Sequence, residues 1–256
     1  MFGPIRTIAN DEIANYESTS ILFRQRMNRG LQMQASYTWA HTLDASSDSN
    51  GGGTPMNPYN WKGDYGNSNW DIRHRFLATF VYEIPFFATG NPILKGVFSK
   101  WQANGVVTLQ TGTPFNITSN GIDTANTSSS GTYRPNLVGS ATETCGRGHL
   151  VGCIDPSAYS IANLYPATTN YAYGNLGRNI FHGPGAETVD FSLMKYFPIK
   201  ERVKFQLRFE TFSLFNHANF GNPSAGFGAG SFGNITSLNG TAPGTRNIQL
   251  GGKLQF

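Results

Sequence analysis

The sequence predicts an all-β fold of antiparallel strands, and three observations lead to this class. Several segments alternate apolar and polar residues, as strands with one dry and one wet face do. Charged residues make up only 13% of the chain, about half the usual globular share, while aromatic residues also reach 13% and glycines number 30. Short and long connections alternate along the chain. This combination is typical of transmembrane β-barrel strands with long extracellular loops. A helical membrane span is not predicted, because the sequence contains no run of about 18 apolar residues.

About seven strands are predicted, and the first two form a hairpin. In the first, Ile21 and Phe23 share a face, although this alternation is the weakest in the chain. Asn28 to Gly30 supply a tight turn, because Asn and Gly tolerate positive φ. The second strand places Leu31 to Trp39 with apolar odd positions and polar even positions. In chain order the predicted strands cover residues 19–27, 31–39, 72–84, 101–111, 187–197, 202–215 and 245–256.

The remaining strands follow the same period of two. In the third, Phe76 and Phe80 point outward, opposite Arg75 and Thr79; the fourth continues this pattern across residues 101–111. The fifth and sixth are joined through residues 198–201. The sixth alternates most cleanly, with Val203, Phe205, Leu207 and Phe209 opposite Lys204, Gln206, Arg208 and Glu210.

The closing strand ends on an aromatic carboxylate, as the last strand of an outer-membrane barrel does. Its apolar face holds Ile248, Leu250, Leu254 and Phe256.

Long polar segments at residues 41–70, 112–184 and 217–243 separate these strands and are expected to be irregular extracellular loops. The alternation of short and long connections then places Phe256 on the periplasmic side. Four carboxylates near the first loop raise the alternative of a calcium site, but their spacing is not that of an EF-hand, so we expect them to be solvated. They are Asp44, Asp48, Asp64 and Asp71.

Cys145 and Cys153 lie in one Gly-rich polar stretch, and we expect them to form a small disulfide in an oxidising compartment. A metal site that includes His149 is the alternative, although zinc would need a fourth ligand and tighter cysteine spacing. Free thiols are the remaining possibility.

The formal net charge of +4 does not indicate nucleic-acid binding, because the 19 Lys and Arg residues form no block or stripe. No Ser-His-Asp arrangement, phosphate-binding loop or dinucleotide fingerprint occurs. We therefore predict no enzymatic activity, no catalytic residues, no cofactor and no bound metal. No signal peptide opens the chain, so the exported N-terminus is expected elsewhere if the protein is exported.

Charged residues on the polar strand faces are expected to line a barrel lumen, and a cross-strand network is predicted among those of the last two strands. For the last two strands the alternative is contact with a plug or a substrate. For Arg73, His74 and Arg75 the alternative is an anion site or a catalytic cluster. Large aromatics near strand ends are expected to form an interfacial girdle, with a soluble core as the alternative. The predicted lumen-facing residues are Arg73, Arg75, Lys204, Arg208, Glu210 and Lys253; the predicted girdle consists of Trp39, Tyr82, Trp101, Phe197 and Phe256.

Six segments in order resemble the C-terminal barrel region of Oar-like TonB-dependent receptors. Each is weak alone, but the ordered set spans nearly the whole chain. The segments are residues 16–26, 30–39, 71–76 (Asp-Ile-Arg-His-Arg-Phe), 112–115 (Gly-Thr-Pro-Phe), 134–136 (Arg-Pro-Asn) and 208–217.

The resemblance implies an outer-membrane transporter of a Gram-negative bacterium, with a 22-stranded barrel closed around a plug. We therefore expect a short N-terminal stub (1–18) and a C-terminal barrel segment (19–256) that is one part of such a receptor. The implied function is uptake of a bulky nutrient or metal chelate, with ligand contacts in the loops at 41–70 and 112–184. Implied partners are lipid, the remaining strands and plug, the TonB complex and, through the closing strand, the barrel-assembly machinery. The alternatives are an adhesive or structural outer-membrane barrel and a soluble secreted carbohydrate-binding β-protein.

Overall fold

An antiparallel sheet dominates the computed structural model, which describes residues 12–47, 55–85, 92–125, 132–169, 171–200, 203–242 and 244–256. The described helices are α1 (Pro92–Phe98) and two 3-10 turns, Trp61–Asp64 and Pro156–Ala158. None of them is long and apolar enough to cross a membrane. In chain order the strands are β1 (Ala14–Asn28), β2 (Leu31–Asp44), β3 (Gly66–Asn67), β4 (His74–Ile84), β5 (Trp101–Gln110), β6 (Pro114–Phe115), β7 (Asn136–Leu137), β8 (Tyr159–Ser160), β9 (Phe181–His182), β10 (Ala186–Lys200), β11 (Val203–Phe212) and β12 (Asn247–Gln255).

The main sheet has the order β1-β2-β4-β5-β10-β11-β12, and β3 pairs with the end of β2. Neighbouring strands are antiparallel throughout. The shorter connections, β1–β2, β4–β5 and β10–β11, lie at one end of the sheet, the turn end. The three long connections lie at the opposite end, the loop end; we name them loop A (45–73), loop B (111–185) and loop C (213–246).

The seven predicted strands all correspond to long strands of this sheet, but several bounds differ. Pairing of Ala14 with Asp44 extends β1 and β2 beyond the predicted 19–27 and 31–39, because backbone hydrogen bonds continue where the side-chain alternation fades. Part of the predicted stub (1–18) therefore belongs to β1, while residues 1–11 lie outside the described residues. β11 ends at Phe212, earlier than predicted, because Ser213 adopts a positive φ of 52°.

The strand register confirms the predicted separation into an apolar and a polar face. Tyr37, Phe76 and Leu109 are direct cross-strand partners on one face, which we call the apolar face. Many of its large side chains are exposed, with Leu250 on β12 77% exposed, and others such as Phe76 and Phe80 are half-buried. In the described part of the chain, the buried apolar residues of the long strands are Ala40, Ala103 and Ala186. The apolar face is therefore not the core of a soluble domain.

Aromatic side chains on the apolar face cover glycines of neighbouring strands. A Cβ built on Gly105 would lie 2.3 Å from the Phe80 ring, and one built on Gly252 would lie 3.1 Å from the Phe205 ring. In such contacts an aromatic ring covers a glycine, which has no side chain of its own, on the neighbouring strand. The rings of Phe80 and Phe205 thus occupy the space that side chains at Gly105 and Gly252 would take.

The hydrophobic core lies in the loops rather than under the sheet. Its buried members come from loops B and C and include Ile117, Ile154, Tyr159, Leu176 and Ile235. The apolar side chains that are withdrawn from water thus lie at the loop end, while those of the strands remain at the surface.

Candidate functional site

Loops A, B and C fold together into one packed layer, which we call the loop layer. The ring of Tyr159 lies 6.4 Å from Phe181, 6.1 Å from Phe227 and 5.9 Å from Phe232, within the range of favourable aromatic pairs. Short strand pairs, β6 with β9 and β7 with β8, tie loop B to itself. Loop B is irregular over most of its described length, as predicted, but its aromatic side chains converge in three dimensions into a packed core that the sequence did not predict.

The structure joins Cys145 and Cys153 by a disulfide, with their Cα atoms 4.8 Å apart. The bond closes a hairpin that packs against loop C, where the amide of Cys153 donates to Gly233 O at 3.0 Å. His149 Nδ1 lies 2.6 Å from the hydroxyl of Thr144 and so belongs to the hairpin's own hydrogen bonds.

A buried ion pair connects loop A with loop B. The Nη1 of Arg134 contacts Asp64 Oδ1 at 2.6 Å, and both side chains are almost wholly buried. The same guanidinium donates to Leu176 O at 2.7 Å and to Gly63 O at 3.1 Å, while Asp64 Oδ2 accepts from the amide of Met56 at 2.7 Å. These bonds compensate both charges, as burial of an ion pair requires.

A second arginine repeats this arrangement at the end of β2. Arg178 Nη1 contacts Asp44 Oδ1 at 2.7 Å, and its Nη2 donates to Ser47 Oγ at 2.6 Å. Asn179 next to it donates to Asn67 O at 2.7 Å. Loop B is thus fastened to loop A at two separate points.

The expectation that the loop carboxylates are solvated is wrong for three of the four. Asp44 and Asp64 are buried in the pairs just described, and Asp71 is fully buried, with Arg73 at 3.2 Å and the Thr42 amide at 2.8 Å. Asp48 lies outside the described residues. Within the described ranges, no three His, Cys, Asp or Glu side chains form a group that could hold a metal ion.

The ionisation of three groups in the loop layer is shifted by burial. Burial lowers the pKa of His182, and Asp71, 3.9 Å away, opposes this shift only in part. Burial raises the pKa of Glu143, against a hydrogen bond from the His182 backbone. Burial, reinforced by Asp155 and Glu143, raises the pKa of Tyr159 to about 12. These shifts couple the packing of the layer to pH.

A polar pocket of about 510 Å³ opens between loops A and B. Its wall includes both arginine anchors, and Trp70 at its rim is 62% exposed. The side-chain oxygens of Asn116 and Asn179, two lining residues, are buried without a hydrogen-bond partner among the described residues.

A larger cleft of about 1070 Å³ lies where the apolar face meets the loop layer. The cross-strand row of Tyr37, Phe76 and Leu109 lines it from the sheet, and the disulfide hairpin lines it from above. At its mouth Arg147 and Glu187 form an exposed ion pair at 3.6 Å. Because its floor belongs to the apolar face, this cleft is separate from the polar pocket and from the polar face.

The structure brings most predicted lumen-facing residues together on the polar face. The register places Arg75, Lys204, Arg208, Glu210 and Lys253 on the same side of the sheet. Arg208 and Glu210 form an ion pair within β11. Arg73 differs, because it precedes β4 and contacts Asp71 in the loop layer.

In the described strands, the side-chain hydrogen bonds that cross the polar face join neutral residues, not the charged residues of the predicted network. Gln206 Nε2 donates to Tyr196 Oη at 3.1 Å, and this hydroxyl donates to Gln102 Oε1 at 2.9 Å. Sequence alternation placed these residues on the polar face, but the partners depend on register.

Four of the five predicted girdle residues fall on the apolar face by strand register. Trp39 lies near the loop end, whereas Tyr82, Trp101 and Phe197 lie near the turn end, and Phe256 follows the last paired residue of β12.

Lys195, a buried cation on the apolar face, was not predicted from the sequence. Its Nζ donates to Ser99 O at 2.7 Å and lies 5.1 Å from the ring centroids of Trp101 and Phe197. The signal was present, since Lys195 interrupts the apolar positions of β10 between Leu193 and Phe197. Together with two predicted girdle aromatics it forms an amphipathic anchor of the kind found at membrane interfaces.

A family model described as an outer membrane beta barrel domain matches residues 1–249. Neither a curated protein nor a solved structure matches the chain significantly.

Proposed function

The chain belongs to the outer membrane beta barrel family, and we propose that it forms part of the wall and the extracellular surface of a TonB-dependent transporter. Family membership locates the protein in the outer membrane, in contact with lipid, so the alternative of a soluble secreted protein is wrong. The apolar face then faces hydrocarbon and the polar face lines the lumen. Uptake of a bulky nutrient or metal chelate, powered through TonB, is the activity that the sequence resemblance implies.

The polar pocket between loops A and B is the single observation that most supports a transport role. The two loops that the sequence singled out for ligand contact meet there, and buried ion pairs hold them in a fixed geometry. Binding functions concentrate in loops that a rigid scaffold positions. Asn116 and Asn179 lie in the pocket wall, and the exposed ring of Trp70 at the rim is available for stacking with a ligand.

The charged polar face supports the same proposal. Arg208 and Glu210, with Lys204 and Lys253 nearby in the register, make a hydrophilic wall suited to a lumen or to contact with a plug. In this proposal the remaining strands, the plug and the TonB complex supply closure and energy. The closing strand β12 would engage the barrel-assembly machinery.

Uptake measurements in cells that make the complete natural polypeptide test this function. A panel of radiolabelled iron chelates and oligosaccharides is offered to the strain and to a deletion strain, with and without an uncoupler of the proton gradient. We expect at least one compound to enter only with the protein and only with the gradient. Surface binding without gradient-dependent entry would instead support the adhesive alternative.

A matched pair of variants locates the ligand site. Trp70→Ala removes the exposed ring at the pocket rim and should weaken binding about 5- to 150-fold, since loss of a stacked aromatic ring costs about 1–3 kcal/mol. Tyr59→Ala removes an exposed ring of the same loop outside the pocket and should leave binding unchanged. Equal effects of the two variants would contradict the assignment of the pocket.

A further inference from the structure

The cleft of about 1070 Å³ where the apolar face meets the loop layer has no part in the proposed transport route. Its floor lies on the apolar face, whereas the lumen and the polar pocket lie elsewhere. Family membership places the chain in the outer membrane, where the apolar face contacts lipid. The cleft therefore opens towards the outer leaflet of the bilayer, beneath the overhanging loop layer.

Trp39 and His74 mark the level of the cleft in the membrane. They are directly opposed in the pairing of β2 with β4. His74 lines the cleft, with its Nδ1 2.7 Å from the hydroxyl of Tyr37. Tryptophan side chains are enriched where the hydrocarbon core meets the lipid head groups. The sheet wall of the cleft thus lies at head-group level.

The floor of the cleft continues as an apolar surface towards the membrane interior. Its upper part is the cross-strand row of Tyr37, Phe76 and Leu109. The next row towards the turn end carries shorter side chains, which leave a shallow trough below the cleft. The members of this row are Ala35, Ala78 and Val107. A lipid acyl chain can lie along this surface and bury apolar area.

The guanidinium of Arg147 stands at the mouth of the cleft, beside the last apolar row. Glu187, which it contacts, is directly opposite Leu109 in the pairing of β10 with β5. The Arg147 Nη2 lies 3.6 Å from Glu187 Oε1, which is farther than a hydrogen bond. His217 contacts the same carboxylate oxygen through Nδ1. The guanidinium fork of Arg147 can therefore bind an external phosphate through two parallel hydrogen bonds.

The other lining groups that carry a full charge have partners inside the loop layer. Arg73 contacts the buried Asp71 at 3.2 Å, and Glu143 accepts a hydrogen bond from the His182 backbone. Of the two lining arginines, Arg147 is the more exposed, with 55% of its side chain accessible against 29% for Arg73. Arg147 is thus the arginine that a ligand entering from the bilayer meets first.

We infer that this cleft binds one phosphorylated lipid of the outer leaflet, with an acyl chain on the apolar floor and a head-group phosphate on Arg147. A free anion would use the guanidinium but not the floor. A hydrocarbon chain alone would use the floor but not the guanidinium. A phosphorylated lipid uses both, and the membrane supplies it at this level. The inference depends on the location of the chain in the outer membrane and not on transport.

Native mass spectrometry of the complete natural polypeptide tests this inference. The protein is purified from outer membranes in mild detergent and titrated with diphosphorylated lipid A, with lipid A from which both phosphates have been removed, and with inorganic phosphate. Removal of the phosphates should weaken binding of the tightest-bound lipid about tenfold to a hundredfold, the range for hydrogen bonds to charged groups. Inorganic phosphate at equal concentration should not displace the lipid.

A first pair of variants tests the role of the guanidinium. Arg147→Met should lower the affinity for diphosphorylated lipid A by the same factor and leave the affinity for the dephosphorylated form unchanged. Arg246→Met is the matched control, because Arg246 is an exposed arginine of loop C that does not line the cleft.

A second pair of variants tests the cleft itself. A Cβ built on Gly146 or on Gly148, both in the disulfide hairpin, meets no heavy atom within 4 Å, so both leucine variants are expected to fold. Gly146 lines the cleft and Gly148 does not. Gly146→Leu should therefore weaken binding of both forms of lipid A about fivefold or more by occupying part of the cleft. Gly148→Leu should leave binding unchanged.

Equal affinity for the two forms of lipid A would overturn the inference, as would equal effects within either pair of variants. Displacement of lipid A by an equal concentration of inorganic phosphate would identify a site for free anions and would overturn it as well. Heat-modifiable migration on gels verifies that each variant folds. If Gly146→Leu does not fold, the Arg147 and Arg246 variants decide the outcome.

Discussion

Removal of the Arg134 guanidinium tests whether buried charge holds the loop layer together. Arg134→Met leaves the Asp64 carboxylate buried without its cation and deprives Leu176 O and Gly63 O of their donors. Loss of one partner of a buried ion pair typically costs about 3–5 kcal/mol. Because every 1.4 kcal/mol is a tenfold change, the open population of the layer should rise by roughly a hundredfold to a few thousandfold.

Amide hydrogen exchange in isolated outer membranes measures this population, since the bilayer holds the sheet while the loop layer opens locally. The amides of Met56 and Leu176 report on it, because both donate hydrogen bonds inside the layer at 2.7 Å and 3.2 Å. Their exchange should accelerate by the factor given above, while amides in the centre of β4 and β5 keep their protection.

Arg147→Met is the matched control, since Arg147 is also a loop B arginine with one carboxylate partner. Its pair with Glu187 is 3.6 Å long and about half exposed on both sides, so the cost should be at most about 1 kcal/mol. The double variant Asp64→Leu/Arg134→Met should recover much of the lost protection from exchange, because it also removes the carboxylate that Arg134→Met leaves buried and unpaired. Similar exchange in the Arg134 and Arg147 variants would refute the reasoning.

Three further predictions follow from the loop layer and the apolar face. Because burial lowers the pKa of His182, its neutral ring contributes to the stability of the loop layer above about pH 6.5, and this contribution is lost as the pH falls. At pH 5, amide hydrogen exchange near β9 should therefore be slower in His182→Gln than in the parent, and equal rates would contradict this. Because the pKa of Tyr159 is raised to about 12, stability is lost as the pH rises above about 10; Tyr159→Phe should abolish this alkaline opening, as followed by limited proteolysis. Gly105→Ala drives a methyl group into the Phe80 ring at 2.3 Å and should cost about 1–3 kcal/mol, lowering the heat-modifiable folded fraction on gels, whereas Gly251→Ala, with its nearest atom at 4.0 Å, should not.

Sequence alternation predicted the strands well because its cause is local. Successive side chains of an extended backbone point to opposite faces. Phe205 and Leu207 are two positions apart, so their shared face can be predicted without knowing the partner strand. The bounds of β1 and β2 were less accurate. Their outer ends are held by backbone pairing, as between Ala14 and Asp44, and such pairing leaves no mark in the side-chain pattern.

The candidate site was harder to predict because its contacts join distant residues. Ligand contacts were predicted in the loops at 41–70 and 112–184, because binding functions concentrate in loops on rigid scaffolds. However, Asp64 and Arg134 are 70 positions apart, and neither residue type signals a buried pair, since charged residues are mostly exposed. The carboxylates of the loop at 41–70 were therefore expected to be solvated. Their arginine partners come from loop B and are known only from the tertiary structure.

The alternation of apolar and polar residues by itself determined which side chains share a face, how many strands cross the sheet and at which end the long loops gather. These properties depend on the two-residue period of a strand and on connection length, both of which are local. Only the tertiary structure decided the register, the packed aromatic core of the loop layer and the arginine anchors between loops A and B. Those features depend on which distant segments meet, and a buried charge or ring is stabilised only by partners that the chain supplies from elsewhere.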